Sequence, residues 1–219
     1  SLIPATILTG FLGSGKTTLL KRVLGEAHGL KIAVIENEFG EENIDSDILV
    51  TESKEQIIQM SNGCVCCTIR EDLRSTLSDL AEKRRKGELQ FDRVVIETTG
   101  LADPVPVIQA LMNDFFVAER FRFDGVVTAV DALFGRDQIQ RHREALRQVV
   151  MADRLLITKC DRADTARIAA LRTEIAALLH GSGLEDAPVL AVSAHSGEGL
   201  PGLRALLFEA ARALPVREP

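Results

Sequence analysis

Residues 10–18 read GFLGSGKTT, and this stretch is the strongest indication of the fold in the sequence. It follows an apolar run over residues 3–9 that predicts a strand, and it leads into a run over 16–27 that predicts a helix. The spacing is that of the phosphate-binding loop, G-x-x-x-x-G-K-[ST], and the strand–loop–helix setting is the one that this motif needs. The pattern is met at four positions: Gly10, Gly15, Lys16 and Thr17. We therefore predict a P-loop that binds a nucleoside triphosphate, and not a chance glycine-rich turn.

The chemistry of such a loop assigns a role to each of its residues. Glycines let backbone N–H groups face phosphate oxygens, and the amino end of the following helix adds a partial positive charge. Lys16 is expected to reach the β- and γ-phosphates, and the Thr17 hydroxyl is expected to bind Mg²⁺. The remaining residues expected to line the phosphates are Gly10, Gly13, Ser14, Gly15 and Thr18.

Apolar runs alternate with helical patterns along the rest of the chain. Strands apolar on both faces and separated by helices indicate a mostly parallel β-sheet flanked by helices on both faces. We therefore predict an α/β protein with the P-loop NTPase fold; the guanine motif described below makes it a GTPase G domain. Predicted helices include 68–86, where Thr68 and Glu71 have capping-box spacing, and the other predicted strands cover 31–35, 57–60, 92–97, 124–130, 153–159 and 188–193.

Length and composition restrict the class of protein. The chain has 219 residues and a net charge of −6, so no surplus positive charge is available for nucleic-acid phosphates. No apolar run is long enough to cross a bilayer, and no basic leader opens the sequence. We expect one domain over 1–214, a linker beginning at 215–219, a cytoplasmic location, and neither a nucleic-acid nor a membrane partner.

Two further strand ends carry nucleotide signals. The strand over 92–97 ends in ETTG, where Glu97 is expected to orient water on Mg²⁺ and the Gly100 amide is expected to sense the γ-phosphate. The strand over 153–159 ends in TKCD, which fits the guanine-specifying motif [NT]-K-x-D through Thr158, Lys159 and Asp161.

The guanine motif favours GTP over ATP. The Asp161 carboxylate can accept hydrogen bonds from guanine N1 and N2, which adenine does not offer, while the Lys159 stem lies over the base. Ser193 and Ala194 follow the next strand and match the loop that supports the base from its other side. A P-loop kinase or ATPase is the rival reading, but we find no arginine-rich lid, and TKCD argues against it.

Three of the four cysteines lie in NGCVCC, residues 62–67. Thiolates favour borderline metals such as Zn²⁺, so Cys64, Cys66 and Cys67 are candidate ligands. A redox pair and purely structural cysteines stay open, although a disulfide between adjacent residues is strained. Cys160 is interpreted as a buried small residue.

An acidic stretch, ENEFGEEN over 36–43, occupies the position of the first switch of a GTPase. A carboxylate there can complete the metal site or position the attacking water; we assign the latter role to Glu38. A solvated acidic loop is the alternative. The carboxylates of this stretch are Glu36, Glu38, Glu41 and Glu42.

Five motifs, taken in order, carry a family resemblance: GFLGSGKTT, IENEFGE, NGCVCC, ETTGLADP and TKCD. Together they resemble the CobW family of metallochaperone GTPases, especially its YjiA-like subgroup, which is related to UreG and HypB. The resemblance implies slow GTP hydrolysis and delivery of zinc, cobalt or nickel to a client metalloprotein. It also implies the three cysteines as ligands, with Glu36 and Glu41 as carboxylate partners in some metal-bound states. Family members usually carry a second, C-terminal domain, which we expect to be absent here.

These observations predict a GTP- and Mg²⁺-dependent metallochaperone G domain, with Zn²⁺ the favoured metal and Co²⁺ or Ni²⁺ open. Its metal transfer is expected to follow the nucleotide state. The alternatives are a metal-binding protein or redox sensor in which the nucleotide only stabilises the fold. A homodimer that depends on nucleotide or metal also stays open.

Overall fold

A computed structural model describes residues 2–26, 29–37, 56–59, 65–69 and 73–209, with backbone alone for 37, 56–59, 65–69, 208 and 209. Its centre is an eight-stranded sheet in the order β3-β4-β2-β5-β1-β6-β7-β8. Neighbouring strands are parallel except for the β3–β4 pair. The strands are β1 Ile3–Gly10, β2 Ile32–Asn37, β3 Gln56–Gln59, β4 Val65–Ile69, β5 Arg93–Thr98, β6 Phe121–Asp131, β7 Arg154–Thr158 and β8 Val189–Ala191.

Helices connect β1 to β2, β4 to β5, β5 to β6, β6 to β7 and β7 to β8, as is usual for crossover connections between parallel strands. Short one-turn helices are α4 and α8, and a 3₁₀ turn over Cys160–Arg162 follows β7. The α-helices are α1 Lys16–Leu24, α2 Leu73–Lys86, α3 Val105–Asn113, α4 Phe115–Ala118, α5 Gly135–Arg141, α6 Arg143–Val150, α7 Thr165–Leu179 and α8 Leu200–Arg204. A π-helical turn over Ala205–Glu209 continues α8.

Two apolar layers cover the two faces of the sheet. Because side chains alternate along a strand, Ile7 packs with α2 and α3 on one face, and its neighbour Leu8 packs with α1 and α8 on the other. The predicted α/β fold with helices on both faces is thus confirmed. No helix of the described part is long and apolar enough to span a membrane.

One predicted helix start is wrong. The capping-box spacing placed a helix over 68–86, but α2 begins at Leu73, and Thr68 and Ile69 belong to strand β4. The run Val65–Ile69 pairs with β2 on one side and β3 on the other. Hydrogen bonding to two neighbours outweighs the local capping signal, and residues 66 and 67 therefore belong to a strand and not to the predicted loop.

Candidate nucleotide and metal site

The P-loop adopts a conformation that its glycines permit. Gly13 and Gly15 have φ of 73° and 80°, in the left-handed region that other residues rarely adopt. The Ser14 amide donates to the Phe11 carbonyl at 3.0 Å, and the Leu19 amide donates to Gly15 at 2.9 Å as α1 begins. The loop therefore turns back onto the amino end of α1, where a phosphate group is favoured.

Close packing also requires a glycine where β1 ends. A methyl group on Gly10 would lie 2.6 Å from Ser14 Oγ and 2.7 Å from the Ala129 carbonyl oxygen of β6. Ser14 is buried, and its Oγ has no hydrogen-bond partner among the described residues. Thr18, by contrast, is exposed on the first turn of α1.

Thr17 and Glu97 meet beside the P-loop. The Thr17 hydroxyl donates to Glu97 Oε1, which joins the start of α1 to the end of β5. Glu97 is 6% exposed, and its Oε2 is buried without a hydrogen-bond partner in the described part of the chain. A hydroxyl beside a carboxylate with a free oxygen atom is a donor set that fits a hard cation such as Mg²⁺.

Burial shifts the pKa values of two charged side chains beside the P-loop, Glu97 and Lys16. Burial raises the pKa of Glu97, and Thr17 and Lys16 oppose that shift. Burial also lowers the pKa of Lys16, against the attraction of Glu97. Each group is thus partly deprived of water, and each would gain an opposite charge from a bound triphosphate and its cation.

The loop that follows β5 lies directly against the P-loop. A methyl group on Gly100 would lie 2.7 Å from the Leu12 amide nitrogen and 2.8 Å from Leu12 Cα. Only a residue without a side chain fits this contact, which explains the glycine of ETTG. The predicted γ-phosphate sensor is therefore held at the edge of the phosphate site.

The guanine motif is also tied to the P-loop. The Thr158 hydroxyl donates to the Ser14 carbonyl, and Lys159 Nζ donates to the Gly13 carbonyl. Lys159 has a φ of 57°, and among the described residues it is the one non-glycine residue with a positive φ. Asp161 is exposed, and a hydrogen bond from the Ser193 side chain lowers the pKa of the Asp161 carboxyl. These contacts hold TKCD against the P-loop, and the base-binding roles of TKCD and of Ser193-Ala194 stay predictions.

Asp131 is a site residue that the sequence analysis missed. It ends β6 and is 1% exposed, and its Oδ2 accepts from Lys159 Nζ at 2.8 Å. Its Oδ1 accepts from the amides of Leu133 and Phe134 at 2.8 and 3.0 Å. An acid after the apolar run of β6 was a visible signal, of the same kind that identified Glu97.

Replacing Asp131 by asparagine is expected to weaken GDP binding about tenfold, as for loss of one hydrogen bond to a charged group. Asparagine keeps the acceptor for the two amides but turns an NH₂ group toward the Lys159 ammonium. A labelled nucleotide measures the change. Asp137→Asn, which breaks an exposed pair with Arg141 on α5, is the control; equal affinities of all three proteins would contradict the role of Asp131.

The cysteine motif is placed only in part. Cys66 and Cys67 belong to strand β4, where the structure describes their backbone only. Cys64, Glu38, Glu41 and Glu42 lie outside the described residues. Within the described part, no group of three or more His, Cys, Asp or Glu side chains forms a metal site. The ligand set therefore stays a prediction.

The strand register does place the motif relative to the nucleotide site. Cys67 pairs with Ile35, and the next position, Thr68, pairs with Glu36 at the end of β2. Glu36 in turn pairs with Glu97 on β5. One row of residues thus runs from the cysteine strand through Glu36 to the carboxylate that contacts Thr17.

Comparison with known proteins identifies relatives of the chain. Residues 4–182 match the sequence model of the CobW/HypB/UreG nucleotide-binding domain. The zinc chaperone YjiA of Escherichia coli is 49% identical over 164 residues, which are 75% of this chain and 51% of YjiA. The zinc chaperone CobW of Pseudomonas aeruginosa is 37% identical and aligns with 95% of this chain and 61% of its own length. The chain thus spans between half and two thirds of these relatives.

A solved structure agrees with the sequence relatives. The crystal structure of the Zn(II)-bound YjiA GTPase from E. coli superposes with a TM-score of 0.67 and 46% sequence identity. The match covers 80% of this chain and 54% of that one. The structural similarity therefore extends over most of this chain.

Proposed function

This chain belongs to the CobW/HypB/UreG nucleotide-binding family, and on that premise we propose that it is a slow GTPase that carries Zn²⁺. GTP and Mg²⁺ occupy the P-loop site, and the transition metal occupies the C-x-C-C motif. Metal transfer follows the nucleotide state. The relatives named above as zinc chaperones support the choice of zinc.

The observation that carries the proposal is the row of paired residues across β4, β2 and β5. It sets Thr68, one residue after the cysteine motif, beside Glu36, and Glu36 beside Glu97. Burial is the main cause of the raised pKa of Glu97, and the negative charge of Glu36 adds to it. A metal ion that binds Glu36 would remove that repulsion, so occupancy of one site would affect the other.

Hydrolysis is assigned to residues around the P-loop. Thr17 and Glu97 would hold and orient Mg²⁺, which neutralises charge on the β- and γ-phosphates when bound. Lys16 places a second positive charge beside the same phosphates, and the Gly100 amide faces the γ-phosphate. Glu38 is proposed to position the attacking water.

Specificity for guanine is assigned to the loops after β7 and β8. Asp161 accepts from the base edge, Lys159 covers the base, and the loop of Ser193 and Ala194 supports its other face. Lys159 is anchored for this role by the Gly13 carbonyl and Asp131.

The remaining proposals concern the setting of the protein. We assign it a client metalloprotein that receives the metal, a cytoplasmic location, and a homodimer that forms in one nucleotide- or metal-bound state. Equilibrium sedimentation with GDP and with a non-hydrolysable GTP analogue, each with and without Zn²⁺, tests the dimer.

Zinc affinity is expected to differ at least about tenfold between the Mg·GDP and Mg·GTP-analogue states, a coupling of about 1.4 kcal/mol. Competition with a chromogenic chelator measures it. The Cys66→Ala variant should lose both the tight site and the difference. Cys160→Ala is the control, because Cys160 occupies the variable position of TKCD and follows β7, which is separated from the cysteine strand β4 by four strands of the sheet.

Equal zinc affinities in the two nucleotide states would refute the coupling. The chain would then be a metal-binding protein in which the nucleotide only stabilises the fold. Loss of Zn²⁺ binding after mild oxidation, with two thiols consumed per chain, would instead favour the redox sensor.

A further inference from the structure

Helix α6, Arg143–Val150, lies against the loop that follows β5. Its Gln148 is a polar residue that is only 1% exposed, and it belongs to none of the nucleotide motifs. The side-chain Nε2 donates to the Gly100 carbonyl at 3.1 Å and to the Ala102 carbonyl at 3.2 Å. One buried amide thus binds the carbonyl groups of the two residues that flank Leu101, Gly100 and Ala102.

The chemistry of the contact requires a glutamine. Two carbonyl oxygens need two N–H donors, and an amide NH₂ group supplies both from one atom. This also fixes the orientation of the amide, because the flipped form would place Oε1 against the two carbonyls. A glutamate of the same size would repel them, and a methionine would leave both carbonyls without this donor.

The position of Gln148 is itself fixed by the sheet. The Thr128 hydroxyl of β6 donates to the Gln148 backbone carbonyl at 2.7 Å. Thr128 pairs with Thr9, one residue before the P-loop begins. The side chain therefore connects the loop after β5 to the same rigid strands that carry the P-loop.

Two neighbouring contacts orient α6 on the same elements. Arg147 pairs with Asp103 at 3.0 Å, one residue beyond Ala102. His142, which precedes the helix, stacks on Phe11 of the P-loop with ring centroids 4.7 Å apart. These contacts lie at the helix surface, whereas Gln148 forms the buried part of the attachment.

We propose that Gln148 is a positioning residue that holds Gly100 against the P-loop, so that its amide can meet the γ-phosphate. Gly100 already packs on the Leu12 backbone, and Gln148 opposes its withdrawal. The residue does not touch the nucleotide; it sets how strongly the protein distinguishes GTP from GDP. This inference rests on the proposed GTPase function.

The test compares GDP and GTP-analogue affinities of Gln148→Met with those of the unmodified protein. Loss of the two hydrogen bonds is expected to weaken binding of the GTP analogue about tenfold and to lower kcat for GTP hydrolysis similarly. GDP affinity should stay within about twofold, because GDP has no γ-phosphate for the Gly100 amide. A general loss of stability would lower both affinities together.

Gln140→Met is the matched control. Gln140 also donates through Nε2, to Glu174 at 3.1 Å, but on the exposed side of α5. Its affinity ratio and kcat should equal those of the unmodified protein. An unchanged ratio in folded Gln148→Met would overturn the inference, whereas failure of the unmodified protein to bind the GTP analogue would overturn the proposed function first.

A measurement on the unmodified protein covers the case in which the variant does not fold. In NMR spectra of protein labelled at glutamine amides, both Nε2 protons of Gln148 should be protected from exchange with solvent when the GTP analogue is bound. Rapid exchange of these protons in that state would overturn the inference.

Discussion

Replacement of Glu97 by glutamine is expected to lower kcat for GTP hydrolysis by about two to three orders of magnitude, the usual effect of removing a preorganised electrostatic group. Glutamine is the same size and can still accept from Thr17. It cannot supply the negative charge that would orient Mg²⁺ at the buried Oε2. GDP affinity at saturating Mg²⁺ should change much less, because the P-loop amides and Lys16 remain.

The pH dependence gives an independent check on the same residue. Burial raises the pKa of Glu97, and the ionised form is the one that can act on Mg²⁺. The kcat/KM for GTP, which reports the free protein, should therefore fall on acidification at a pH above the ordinary glutamate pKa of about 4.3. The Glu97→Gln variant should lack this acidic limb.

Single-turnover hydrolysis at saturating protein measures the change in kcat, and the same experiment at subsaturating protein across a range of pH measures kcat/KM. Glu174→Gln is the control, since Glu174 pairs with Arg136 at the exposed surface of α5 and α7. A Glu97→Gln variant with normal kcat would remove Glu97 from the magnesium site and would leave its contact with Thr17 as a structural hydrogen bond.

The fold and the phosphate loop were predictable because their signals are local. A loop of fixed spacing, an apolar strand before it and a helix after it are all contained in about 25 residues, and steric and hydrogen-bonding preferences act within that length. The same holds for ETTG and TKCD, where Glu97 lies near the end of one apolar strand and Asp161 follows another, and the carboxyl ends of these strands meet at one edge of the sheet.

Strand β4 shows where local signals are insufficient. Thr68 and Glu71 have helix-start spacing, yet Thr68 lies in a strand that pairs with β2 and β3. Pairing with two neighbours depends on residues more than thirty positions away on β2, so no window around Thr68 contains it. The extra strand expected near 57–60 is confirmed as Gln56–Gln59.

Asp131 and Gln148 were missed for a related reason. Their partners are Lys159, 28 positions away, and Gly100, 48 positions away. Each role is defined by a contact made after the sheet has assembled. The predicted metal ligand set poses the same problem in a stronger form, because it would require Glu36 and the three cysteines to converge from separate segments, and Cys64 lies outside the described residues.

Replacement of Asp161 by asparagine is expected to weaken GDP binding by at least about a hundredfold, since a site built to pair polar groups rejects a base that leaves them unpaired. The hydrogen bond from Ser193 lowers the pKa of the Asp161 carboxyl, which keeps it ionised and accepting near neutral pH. An asparagine side chain keeps one acceptor and turns donors toward guanine N1 or N2. Those donors instead match the oxygen at position 2 of xanthine, so xanthosine diphosphate should bind better to the variant than GDP does.

Competition between a labelled guanine nucleotide and unlabelled GDP, ADP and xanthosine diphosphate measures this preference, and the chain contains no Trp or Tyr to interfere. Asp164→Asn is a close control: Asp164 caps α7 by accepting from the Arg167 amide at 2.7 Å, and asparagine caps helices equally well. That variant should keep the guanine preference, so a loss confined to Asp161→Asn separates base recognition from damage to the loop. If Asp161→Asn still prefers GDP, the base is recognised elsewhere and TKCD serves only to anchor the P-loop through Thr158 and Lys159.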